Sequence, residues 1–135
     1  MQRRALIAAI LAAIVAAFAL PALACSCVQF SRARDQLRAA DVMFIGRAVR
    51  SERDWFSRNT IYTTFTVEES LKGDVPRRVR VAQNDRTACA VQSFEPGARV
   101  MLLANRDGQR LLIGPCMFPH FPEAEYRAAL RSRYQ

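Results

Sequence analysis

The hydrophobic pattern divides the chain near residue 24. Residues 5–20 form an unbroken apolar run without a charge, preceded by Met1-Gln2-Arg3-Arg4 and followed by Pro21 and Ala22-Leu23-Ala24. A short basic stretch, an apolar run and a small-x-small triplet are the three parts of a cleavable export signal. The run covers about 16 residues, short of the roughly 20 that a membrane-spanning helix needs. Residues 1–24 are therefore expected to be a signal peptide, and residues 25–135 a single domain with no membrane span. Lipid attachment at Cys25 is disfavoured by Ala22, because lipoprotein signals usually carry Leu at that position.

Beyond residue 24 the apolar positions come in short runs. Residues 30–40 read as a short helix. Residues 42–50 (VMFIGRAVR) are β-branched and aromatic, with Gly46 inside predicting a bulge or sharp bend. Residues 51–59 are polar apart from Trp55 and Phe56 and read as a loop. Residues 60–71 alternate, with Ile61, Thr63, Phe65 and Val67 on one face. Lys72-Gly73-Asp74 turns the chain into a third strand, where Val79 and Val81 alternate with arginines, and a loop over residues 84–88 runs into Cys89. Glu95-Pro96-Gly97 marks a turn before a fourth strand at 99–104. Residues 105–109, with Asp107-Gly108, signal a hairpin into Leu111-Leu112-Ile113. Residues 122–134 read as an amphipathic helix, with Pro at its start, acids in its first turn and arginines at its end. Five regularly spaced strands with short flanking helices predict a mainly β fold, a five-stranded barrel of the OB type.

Charge changes this picture little. The formal net charge is +8, and loss of Arg3 and Arg4 lowers it to +6; the basic side chains are arginines except for Lys72. The arginines are scattered, so no nucleic-acid stripe is evident and no nucleic-acid partner is expected. The Ala- and Arg-rich composition and the form of the signal suggest a bacterial source, with a periplasmic or extracellular location.

Cysteine usage changes it more. Cys25, Cys27, Cys89 and Cys116 all follow the signal. An even count in a small exported domain predicts two disulfides. A Cys25–Cys27 ring is strained, which leaves these two reaching separately to Cys89 and Cys116, in either order. Each loop would span roughly 60 to 90 residues and contribute about 4 kcal/mol by constraining the unfolded chain. Cys-Ser-Cys is too tight for an ordinary zinc site, and His120 is the only histidine. No resident metal or cofactor is expected, and His120 reads as a surface or packing residue. With one histidine, disulfide-bonded cysteines and no clustered carboxylates, an enzyme is not expected.

Several of these residues fall in a family pattern. Cys25-Ser26-Cys27-Val28 stands at the processed terminus, and a strand opens Ala40-Asp41-Val42-Met43-Phe44-Ile45-Gly46. A segment over residues 62–73 ends Glu69-Ser70-Leu71-Lys72-Gly73, and Thr87-Ala88-Cys89 precedes a hairpin ending Gly114-Pro115-Cys116. Together they resemble the netrin-type module, and more closely the N-terminal domain of the tissue inhibitors of metalloproteinases. The similarity spans nearly all of residues 25–135, and its most specific element is the Cys-x-Cys at the processed terminus.

The resemblance implies pairing of Cys25 with Cys89 and of Cys27 with Cys116. It implies a secreted, monomeric inhibitor whose partner is a zinc metalloendopeptidase. In that family mechanism the free α-amine and carbonyl oxygen of Cys25 chelate the zinc of the target enzyme. Ser26 enters the pocket for the substrate side chain beyond the scissile bond, Cys27 and Val28 lie along the cleft, and Thr87 and Ala88 form a second contact edge. The chemistry is sound, because an α-amine titrates at about pH 8 and is partly neutral at physiological pH. A catalytic zinc also keeps one position open, held by water, which such a chelate would take. The alternative is a non-inhibitory netrin-like envelope or extracellular protein-binding module, in which Cys25 and Cys27 are only staples. Trp55 and Phe56 would either extend a contact surface or cap the barrel. The chain departs from the inhibitor pattern in having no cysteines left for the family's usual third disulfide.

Overall fold

The structure is a computed structural model and describes residues 27–57, 59–84 and 93–132. Its elements are α1 (Ala33–Ala39), β1 (Val42–Arg53), β2 (Thr60–Lys72), β3 (Arg78–Asn84), β4 (Arg99–Asp107), β5 (Arg110–Ile113) and α2 (Glu123–Arg131). The strands close into a barrel in the order β1-β2-β3-β5-β4, with β4 returning to β1. All contacts between neighbouring strands are antiparallel except that of β3 with β5. The chain is thus mainly β, a closed five-stranded barrel with two short helices. No described helix is long and apolar enough to cross a membrane.

The run Val42–Ile45 is apolar at every position because its half of β1 is buried on both faces. Val42 and Phe44 point into the barrel with Phe65, Val81, Leu102, Leu111 and Ile113. Met43 points outward, where it packs with Leu103, with Ala33, Leu37 and Ala40 around α1, and with Tyr126 of α2. In the second half of β1 the exposed residues are Arg47, Arg50, Ser51 and Arg53, with Val49 the one apolar side chain among them. Gly46 stands where β1 changes register against β2, and a Cβ there would lie 2.8 Å from the Thr66 carbonyl oxygen. Only glycine allows that approach.

Several boundaries differ from those the sequence predicts. The polar residues Ser51, Glu52 and Arg53 continue β1, paired with Thr63, Tyr62 and Ile61. Backbone hydrogen bonds in a hairpin need no apolar side chains, and the Ser51 and Thr63 hydroxyls bond across the pair at 2.8 Å. Likewise β4 runs to Asp107, and the hairpin to β5 is a two-residue turn with Gly108 at φ 62°. Helix α1 starts at Ala33, because the Phe30 ring lies instead against His120, with centroids 5.8 Å apart. Helix α2 starts after Pro122 and ends at Arg131.

The single lysine closes α1. Lys72 Nζ, at the end of β2, donates to the carbonyls of Leu37 (2.6 Å) and Ala40. A cation at a helix C-terminus satisfies orphan carbonyls and opposes the helix dipole. Helix α2 is fixed from outside by Arg127, whose guanidinium donates to both Glu69 carboxylate oxygens at 2.8 and 2.6 Å.

Candidate functional site

Cys27 begins the described chain, and its sulfur is bonded to Cys116, 89 positions away in sequence, with Cα atoms 5.3 Å apart. Cys116 lies three residues beyond the end of β5. The N-terminal segment is therefore fastened to the chain that leaves the barrel. Phe30 on His120 supplies a second attachment in the same direction. Val28, between these two points, is 70% exposed.

The segment that receives Cys27 is itself held by a buried polar hub. Gln36 on α1 and Tyr126 on α2 are both fully buried. Gln36 Nε2 donates to the Phe118 carbonyl at 2.8 Å, and its Oε1 accepts from the Tyr126 hydroxyl and from the His120 N–H at 3.2 Å. The Tyr126 oxygen in turn accepts from the His120 and Phe121 N–H groups at 3.1 and 3.4 Å. Burial pushes the Tyr126 phenol above its ordinary value, only partly opposed by those two N–H groups. It stays a neutral donor across the physiological range. Polar groups buried at this depth are costly unless paired, so the hub admits one arrangement of residues 118–121.

Strand register sets what else lies at this end of the barrel. Thr60 pairs with Asn84, and Gln83 with Ile113. The tip of the β1–β2 hairpin, the end of β3 and the segment entering Cys116 therefore share one end. At the tip, Trp55 is 89% and Phe56 95% exposed. Two hydrogen bonds stand beside them: Asp54 N–H donates to the Thr60 carbonyl at 2.8 Å, and Phe56 N–H to Asp54 Oδ1 at 3.2 Å. The two rings are presented outward and do not cap the barrel. Phe94 and Phe118 pack against the core instead, and the ring of Phe94 meets Phe65 edge-on at 5.3 Å.

Of the residues singled out from the sequence, Cys27 and Val28 lie together at this end. Cys25, Ser26, Thr87, Ala88 and Cys89 lie outside the described residues, and with them the bridge expected between Cys25 and Cys89. The ring of His120 packs near Phe30 and Phe121, while its backbone N–H serves the hub. Among the described residues no group of three metal-ligating side chains comes together. Gln36 and Tyr126 do not stand out in the sequence as organisers of a site. One signal is present: Ala33, Gln36, Leu37 and Ala40 follow helical spacing, which puts Gln36 on the buried face.

No family model matches the chain, and no curated protein matches it.

Proposed function

We propose that the chain is an exported inhibitor of zinc metalloendopeptidases that acts, after loss of residues 1–24, through a wedge at its N-terminus. The observation that carries this reading is the Cys27–Cys116 bridge. It fastens the residue two positions after the proposed new terminus to a barrel end that also bears exposed Val28, Trp55 and Phe56. A terminus fixed before binding loses little conformational freedom on docking. The closed barrel in the order β1-β2-β3-β5-β4, with its one parallel contact, supports the OB-type architecture of the inhibitors that the chain resembles.

In this reading the Cys25 α-amine and carbonyl are the zinc-directed atoms, the metal being that of the target enzyme. Ser26, Cys27 and Val28 follow along the substrate cleft, Thr87 and Ala88 form the neighbouring edge, and Cys25–Cys89 is the second bridge. Trp55 and Phe56 widen the contact.

The test compares protein with a verified free Cys25 amine against the same protein extended by one alanine before Cys25. Both are assayed on a panel of zinc endopeptidases. Inhibition by the first and its loss in the second is the expected result. Equal inhibition by both would remove the amine from the mechanism, and no inhibition by either would overturn the reading.

A second reading, a non-inhibitory netrin-like binding module, draws on the exposure of Trp55 and Phe56. Two bare aromatic rings at the hairpin tip suit a protein contact that needs no free amine. A partner captured equally by the alanine-extended protein, and lost on Trp55→Ala, would favour it.

A further inference from the structure

Away from the disulfide, a cleft of about 440 Å³ opens on the side of the barrel, beside the β4–β5 turn. Arg78, Arg80, Arg106 and Arg110 line it, with Tyr62 and Gln109. No carboxylate lines it. Strand alternation delivers two of these arginines, since Arg78 and Arg80 face outward on β3 while Val79 and Val81 turn into the core. The tight hairpin delivers the other two, because Arg106 and Arg110 flank Asp107 and the two-residue turn.

Three of the four are held in place by the protein. Arg106 Nη2 donates to the Asp74 carbonyl at 2.7 Å, and Arg110 Nη2 to the Asp107 carboxylate at 2.9 Å. The Arg80 guanidinium lies over the Tyr62 ring, 3.9 Å from its centroid, and its Nη2 is 3.8 Å from Glu52 Oε2. Arg78 has no ion pair among the described residues. Ordered like charges converging on a concave surface work against the compact state unless an anion joins them. The guanidinium fork matches tetrahedral oxyanions through paired N–H donors.

We propose that this cleft binds a small ligand carrying two or more closely spaced phosphate groups. Arg80 and Arg110 keep Glu52 and Asp107 beside them, while Arg78 and Arg106 have no carboxylate partner among the described residues. Guanidinium forks on β3 and on the hairpin can engage more than one phosphate. The volume lies within the roughly 300 to 1,000 Å³ usual for small-molecule sites. A long polyanion is disfavoured, because Arg47, Arg99 and Arg127, the arginines of the neighbouring ion-pair run, are each engaged by glutamates. The phosphates belong either to a soluble molecule or to a lipid headgroup that enters the cleft. This site shares no residue with the proposed protease edge, and its test does not involve Cys25.

The experiment titrates the purified protein with inorganic tripolyphosphate by calorimetry at low salt. Orthophosphate, and vesicles of phosphatidylcholine carrying a lipid with a bisphosphate headgroup, serve as separate arms. Saturable one-site binding of tripolyphosphate, well above that of orthophosphate, is expected. Arg78→Ser and Arg80→Ser should each weaken it about tenfold. Arg78→Lys, which keeps the charge and loses the fork, should fall between Arg78→Ser and the parent. Arg131→Ser, an equal loss of charge outside the cleft, should change nothing. Equal weakening by Arg131→Ser would reduce the effect to net charge and overturn the site. Binding of vesicles without binding of tripolyphosphate would overturn the small-ligand assignment, and absence of saturable binding in every arm would overturn the proposal.

Discussion

Arg47, Arg99 and Arg127 alternate with Glu68, Glu123 and Glu69 in one continuous run of ion pairs, whereas Arg78, Arg80, Arg106 and Arg110 converge on a cleft that no carboxylate lines. In the first cluster Arg47 and Arg99 share Glu68 at 2.7 and 3.3 Å. Glu123 joins Arg99 (3.4 Å) to Arg127 (2.8 Å), and Arg127 reaches Glu69 at 2.6 Å. That run crosses from β1 through β2 and β4 to α2, so its geometry fastens a helix to the sheet. The second cluster joins β3 to the β4–β5 hairpin and leaves its charge turned toward solvent. Residues of one type, drawn from neighbouring strands of one barrel, thus serve docking in one place and recognition in the other. The difference lies only in which residues stand opposite.

The largest effect tests whether the outer run or the inner hub governs α2. Tyr126→Phe removes the donor to buried Gln36 and the acceptor for the part-buried His120 and Phe121 N–H groups. A loss of about 1 to 2 kcal/mol is expected, seen as a fall of roughly 5 to 10 °C in Tm by circular dichroism. Next, Arg127→Met breaks the outer run at its most connected member. It should lower Tm by about 3 °C, because exposed pairs contribute less than buried hydrogen bonds even in a network. A larger fall for Arg127→Met than for Tyr126→Phe would reverse the assignment of roles.

Acid sharpens the contrast further. Arg127 holds the Glu69 and Glu123 carboxyls below their ordinary value of 4.5. A carboxylate with a lowered folded value contributes stability that is complete above the ordinary value and lost as pH falls through the lowered one. Thermal stability should therefore hold from neutral pH to about pH 5 and decline below 4.5, with a shallower decline in Arg127→Met. The smallest effect is in the cleft itself. Arg80→Ser should leave Tm within about 1 °C of the parent, since no buried group loses a partner. A loss matching that of Arg127→Met would make the cleft a structural cluster like the other and erase the distinction.

Legibility in the sequence followed the same division. Phe65, Val79 and Val81 declare their inward face by alternation, and the two-sided burial of β1 is written in the unbroken run Val42–Ile45. Gly46 marks its register change by being glycine. Polar Ser51, Glu52 and Arg53 hid the end of β1, because their strand is held by backbone bonds that leave no trace in side-chain polarity. On the functional side, the Cys27–Val28 segment was visible from its pattern. Trp55 and Phe56 read equally well as a cap or as a contact surface until the register placed them on the open tip of a hairpin. Gln36 looked like one polar residue among the charges of a short helix.

Local sequence sets the periods: where strands alternate, where glycine must turn the chain, and which helix face is apolar. These are local properties, set by φ/ψ preferences and by side-chain spacing along a few residues. The tertiary structure alone decided which partners those residues meet. It brought Cys27 to Cys116 across 89 positions and Gln36 to Tyr126 and Phe118, and it separated the arginines that tie α2 to the sheet from those that converge on the cleft. Closure of the barrel made those decisions, because a side chain's charge, burial and hydrogen bonding depend on strands that are distant in the chain and adjacent only once the sheet has joined.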